Sequence, residues 1–244
     1  MLTCFLKYVH SSATDFAGLK GILDMDVLER PPFGVGCTYV AVLLWLCHEF
    51  WYNDIHNISL HVMSTGYQIY DKAGSYYLTF QVVDWVDIFT RKVYRDIILD
   101  SFDYCRKHKG LHIWAYVIMS NHVHCILSAE NGNLPDIIRD FKRHTASKIL
   151  KEIKESTESR KDWMLKRFEF AAKSHKRNSE WQFWTHENHA VELLSHSFTC
   201  QKMAYIHENP VRSGWVEKVE DWMYSSQRNY SGLESLIEID IADI

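Results

Sequence analysis

The chain has 244 residues, with 27 Lys and Arg against 31 Asp and Glu, a formal net charge of −4 with neutral histidine. That length suits one large domain, or one domain with an extension, and is ample for a buried core. With 47% hydrophobic and 24% charged residues and only 10 Gly and 4 Pro, disorder, collagen and a simple coiled coil are excluded. A near-neutral total does not exclude nucleic acid, because a basic face can sit inside it. Cys4, Cys37, Cys47, Cys105, Cys125 and Cys200 are far apart and form no C-x-x-C pair. In a chain this long they read as free thiols of a reducing compartment, with the cytoplasm as the expected location, and not as a zinc site. The longest apolar run, Val35 to Cys47, has 13 residues. A membrane span needs about 18 to 20, so this run is expected to be buried in protein.

Residues 1–62 carry 3 basic and 6 acidic residues and show no clear helical or strand period. They are expected to be either a small extra domain or an extension upstream of a functional start at Met63. From Tyr76 the pattern is orderly. Tyr76 to Val83 is β-branched and aromatic, a strand. Asp87 to Lys109 places Ile88, Val93, Ile97, Ile98, Phe102 and Cys105 at helical spacing, and Gly110 is a stop. His112 to Met119 and His122 to Ser128 read as strands joined by the Ser120-Asn121 turn. Leu134 to Ile153 is a basic amphipathic helix, 156–180 is mostly loop or short helix, and Val191 to about Asn209 is helical, with Pro210 ending it. Hairpin strands interspersed with helices predict an α+β fold, an antiparallel sheet with helices packed on one face. Residues 63–230 would form the main domain and 231–244 an acidic C-terminal tail.

Three features carry chemistry. His122-Val123-His124 on a strand sends both imidazoles to one side, half of a divalent-metal site, although a chain with 14 His yields such pairs by chance. Tyr205 and Asn209 are one helical turn apart. The phenol can be a nucleophile and the carboxamide an oxygen ligand, but the spacing equally suits a packed ring and a helix-end cap. Residues 141–180 hold 12 Lys and Arg, among them Lys142, Arg143, Lys148 and Arg167, against 6 acids, with Trp163, Phe168, Trp181 and Trp184 interleaved or adjacent. Cations that track phosphates and rings that stack on bases suit single-stranded nucleic acid; a solvated helix face explains the run equally well.

The segments WAYVIMSNHVHCIL (114–127), KMAYIHENPVRSGWV (202–216) and DWMYSS (221–226) together resemble the single-tyrosine HUH transposases, specifically the REP-associated tyrosine transposases, over roughly residues 67–230. Where the family often has proline, Ser120 stands here, and 156–180 is longer than in compact members. The resemblance implies a ferredoxin-like or RRM-like α+β domain that acts on single-stranded, hairpin-forming palindromic DNA in transposition and recombination. It also implies His122, His124 and Asn209 as ligands of Mg²⁺ or Mn²⁺, and Tyr205 as the nucleophile forming a 5′-phosphotyrosine link. Lys142, Arg143, Lys148, Arg167 and Trp184 are the expected DNA contacts, and the protein would be cytoplasmic, on the nucleoid when DNA-bound. Related transposases act as monomers or dimers, so a homodimer is among the assemblies implied. The competing readings are a non-catalytic RRM-like binder of single-stranded nucleic acid and a metal-dependent hydrolase with a water nucleophile.

Overall fold

The computed structural model describes residues 69–174 and 180–241. The expected extension 1–62 and the start at Met63 lie outside them. Four antiparallel strands, β1 (Tyr76–Gln81), β2 (Leu111–Ile118), β3 (His122–Ala129) and β4 (Val191–Glu192), form one sheet in the order β2-β3-β1-β4. Helices α1 (Lys92–Lys109), α2 (Leu134–Glu155), α3 (Lys161–Ser174), α4 (His196–Arg212) and the single turn α5 (Gln227–Tyr230) complete the described elements.

The sheet has two unlike faces because strand side chains alternate. Tyr76, Leu78, Phe80, Tyr116, Ile118, Val123, Cys125 and Leu127 bury against α1 and α2 in the large core, where Phe102 of α1 stacks on Phe141 of α2 at 4.6 Å. The alternate positions Tyr77, Ala115, Val117, Met119 and Ile126 form a smaller cluster closed by Met203 and Ile206 of α4. The expected antiparallel sheet is therefore present with α1 and α2 on one face, and α4 adds a cover on the other. Gly110 takes φ 65° where α1 turns directly into β2, and a Cβ there would sit 3.2 Å from Glu130. Both demands select glycine.

The C-terminal boundaries shift. Val191 and Glu192 are strand, pairing with Tyr77 and Tyr76, and not the start of a helix as expected. The helix begins only after Ser195, whose hydroxyl accepts from the Phe198 N–H, and it runs through Pro210 to Arg212. A proline one turn from the end removes a single backbone bond, which the last turn tolerates. The 156–180 stretch, expected to be mostly loop or short helix, contains the 14-residue helix α3. The acidic tail folds back on the edge of β2, where the Asp240 carboxylate accepts from the Ile113 N–H at 2.9 Å while Ile239 is buried. Among the described residues no helix is long and apolar enough to cross a membrane.

His207, on the buried side of α4, lies 2.8 Å from the Ser226 hydroxyl, which also accepts from the Tyr116 N–H at 2.9 Å and so ties α4 to β2. Burial holds its pKa down at about 4, against an ordinary 6.5. Between those values the unfolded chain binds a proton that the fold refuses, so stability is full above pH 6.5 and falls as the pH drops toward 4. Replacing His207 by Gln, which keeps a polar group for Ser226, should remove about 2–3 kcal/mol of the acid destabilisation between pH 7 and 4.5. Thermal melts at the two pH values check this; an unchanged pH dependence would mean that the imidazole is already protonated in the folded protein.

Candidate active site

On β3, Val123, Cys125 and Leu127 are spent on the large core, so His122 and His124 necessarily face α4. Their rings lie 4.6 Å apart, centroid to centroid. His124 pairs with Thr79 of β1 and Val117 of β2 and is only 7% exposed. Its Nδ1 is 2.9 Å from both the Tyr77 hydroxyl and Thr79 Oγ1, and the Tyr77 ring stacks on it at 5.6 Å. When Nδ1 carries the proton and donates to these hydroxyl oxygens, Nε2 is left with its lone pair.

His122 is fixed differently. Asn121 donates through Nδ2 to the Trp85 carbonyl at 3.3 Å and to Asp87 Oδ1 at 3.0 Å. That orients its Oδ1 onto His122 Nδ1 at 2.7 Å, so Nδ1 donates and Nε2 is again the free acceptor. The loop after β1 clamps this turn through Val82 N–H to Asn121 O and Phe89 N–H to Ser120 O, at 2.9 and 2.8 Å. Burial lowers the His122 pKa to about 4, with Asp87 opposing, and holds that of His124 well below the ordinary imidazole value, with His122, Lys202 and His189 adding to the effect. Both imidazoles are neutral at pH 7, the form that ligates metals.

Because Met203 and Ile206 bury toward the sheet, the next stripe of α4 flanks the imidazoles. Tyr205 stands with its ring 5.4 Å from His124 and 6.2 Å from Tyr77, edge-on to both. Asn209, half-buried, is one turn further on. Two cations of the same helix reach over these rings: Arg212 Cζ is 4.8 Å from the Tyr205 centroid and Lys202 Nζ is 4.9 Å from that of Tyr77. The arrangement unites a phenol, two neutral imidazole acceptors and two cations, a set suited to an anionic electrophile such as a phosphate ester.

The expected DNA contacts fare unevenly. Trp184 is 5% exposed, ringed by Phe80, Phe89 and Phe183, and its indole N–H donates to Thr145 Oγ1 at 3.0 Å. It is a core residue and presents no face to a base. Lys142 turns inward, donating to the Thr185 carbonyl and to Asn188 Oδ1, both at 2.7 Å, and burial lowers its pKa to about 8. It holds the 185–188 segment and is not a phosphate-facing cation. Arg143 and Lys148 are exposed on α2, which covers the sheet face opposite the imidazoles. Arg167 on α3 is 3.9 Å from Asp84, beside the turn that carries Trp85. The sequence reading missed Tyr77, Thr79, Asn121, Lys202 and Arg212. An i, i+2 polar pair on the strand preceding the hairpin was the one signal for Tyr77 and Thr79; the others depend on which strand lies beside β3 and on where α4 packs.

A family model described as "Transposase IS200 like" matches residues 74–208, more than half of the 244. The chain belongs to the IS200-like transposase family. Among solved structures, a REP-associated tyrosine transposase bound to a REP hairpin is similar at 19% identity and a TM-score of 0.46, over 75% of this chain and 95% of that one. A candidate transposase from Deinococcus radiodurans R1 is also 19% identical, with a TM-score of 0.34, over 59% of this chain and 95% of that one. A comparison with curated proteins finds no match. The assignment rests on the family match, which spans the strand with both imidazoles and α4 as far as Glu208.

Inward and solvated members of the basic run separate in this transposase by stability. Lys142→Met leaves two inward acceptors without their donor and should cost about 2 kcal/mol, whereas Arg143→Gln, on the solvated face, should stay within about 0.5 kcal/mol. Urea denaturation of the two variants measures both; equal small losses would show that the Lys142 bonds contribute nothing.

Proposed function

We propose that this transposase cleaves and rejoins single-stranded, hairpin-forming DNA, with Tyr205 attacking a backbone phosphate. The observation that carries the reading is the position of the Tyr205 ring, 5.4 Å from a buried, neutral His124 and beneath the Arg212 guanidinium. A tyrosine that merely packed would not need two neutral imidazoles and two cations beside it. In the proposed step the phenol oxygen forms a bond to phosphorus and the bond from phosphorus to the departing 3′ oxygen breaks. The phenol proton is lost, the 3′ oxygen gains one, and the products are a 5′-phosphotyrosine and a free 3′-OH. The phosphodiester energy is kept in the covalent link, which lets the strand be rejoined by the reverse attack.

The donor set fits a divalent cation. His122 and His124 each have Nδ1 engaged by a neighbour, so Nε2 is left for an ion, the outer-shell pattern of metal-binding histidines. Asn209, an oxygen donor one helical turn from Tyr205, is the candidate third protein ligand. Bound there, Mg²⁺ or Mn²⁺ would supply the positive charge that polarises the scissile phosphate. The chain's own contributions are to hold the two rings rigid, to place the phenol and to set Arg212 and Lys202 against the charge that grows on phosphate oxygens.

Two measurements test the reading. Wild-type protein with hairpin DNA and Mn²⁺ should give a band that survives denaturation and is lost in Tyr205→Phe; an adduct retained by that variant places the nucleophile elsewhere, and turnover with no adduct favours a water nucleophile. His122→Ala should lower cleavage by at least a thousandfold with hairpin affinity nearly unchanged. Asn121→Ala, which keeps both imidazoles but releases the His122 ring together with the Trp85 carbonyl and Asp87, should cost about 10- to 100-fold; single-turnover rates over a Mn²⁺ titration distinguish it from direct loss of the ligand.

A further inference from the structure

Asp84 and Trp85 take φ of 51° and 53°, two consecutive non-glycine residues in the left-handed region. Each such residue is strained, and a pair of them persists only where the surroundings impose it. The imposed result is a large aromatic side chain held at the surface, 41% exposed, with its ring nearly perpendicular to that of His122 at 5.9 Å. The Trp85 carbonyl accepts from Asn121 Nδ2, so the residue that aims His122 also anchors the backbone of this tryptophan.

We infer that Trp85 is a stacking subsite for an unpaired nucleobase of the nucleotide adjoining the phosphate held at His122 and His124. The inference deepens the strand-cleavage reading above and rests on it. A neutral base gains from stacking on this exposed indole, and the neighbouring Asp87 carboxylate is already engaged by Asn121. The Asp84 charge is met by Arg167, whose guanidinium also lies 5.8 Å from the Trp163 ring on α3, itself 46% exposed. A cation and a second exposed ring therefore stand beside the turn that carries Trp85. Backbone strain that presents one ring beside one metal-ligand candidate gives the site a fixed distance between base and phosphate, which is what selecting a single phosphodiester requires.

The test uses the full chain with Mn²⁺ and a hairpin oligonucleotide that the wild type cleaves, carrying 2-aminopurine in turn at each nucleotide flanking the cleaved phosphate. One position should show quenched fluorescence. Trp85→Ala should abolish that quenching and raise Kd about tenfold, and Trp85→Phe should keep the quenching and bind within threefold of wild type. Unchanged quenching and affinity in Trp85→Ala would overturn the subsite while leaving the cleavage reading intact. Loss of quenching in both variants would overturn it as well, since an aromatic ring at 85 would then not be what the base stacks on. If the wild type forms no adduct with any hairpin, the parent reading falls and the subsite falls with it.

Discussion

The site depends on one constraint: an imidazole, His124, is kept neutral and nearly water-free in the middle of a sheet. A buried polar ring is costly unless its hydrogen-bonding atoms are engaged, and here Tyr77 and Thr79 engage one nitrogen from a neighbouring strand. With Nδ1 occupied, the other nitrogen is the only one left for chemistry, and its direction is set by the strand. Everything else is arranged around that direction. His122 is two residues away on the same face, α4 lies over that face, and Tyr205 is on the stripe of α4 that borders its apolar contact.

The two sheet faces divide the work. The face covered by α1 and α2 buries the large aromatic core and carries most of the stability that apolar burial supplies. The other face gives up apolar area to hold polar groups, so its cluster is small and α4 sits on a few side chains, with Met203 and Ile206 as its buried contacts. Helix docking is reinforced by a polar tie, the His207–Ser226 pair. A helix positioned by few buried apolar contacts and this one polar tie carries the proposed nucleophile, Tyr205.

Much of this was legible in the sequence because the informative periods were short. Strand alternation put His122 and His124 on one face without any knowledge of the partner strand, and helical spacing put Tyr205 and Asn209 on one stripe. Burial of individual cations and aromatics was not legible. Lys142 and Trp184 belong to the same basic, aromatic-rich composition as Arg143 and Arg167, yet the first two turn inward because the 184–188 segment runs along β1, offering Lys142 its acceptors and carrying Trp184 in to Thr145 of α2. That pairing joins residues about a hundred positions apart, a relation that no local pattern encodes. The helix boundary at Val191 failed for the same reason: a β-branched residue was claimed by a distant strand before helical spacing could claim it.

The turn after β1 shows how position and cost are linked. Its backbone N–H groups at Val82 and Phe89 bond the Ser120 and Asn121 carbonyls, so the loop cannot relax without releasing the hairpin that begins the histidine strand. The left-handed residues Asp84 and Trp85 are therefore held from both ends, by β1 on one side and by the hairpin turn on the other. Asn121 joins the two by spending one side chain on the Trp85 carbonyl, the Asp87 carboxylate and the His122 ring. Strain in the loop and orientation of the imidazole are thus two consequences of a single hydrogen-bond network.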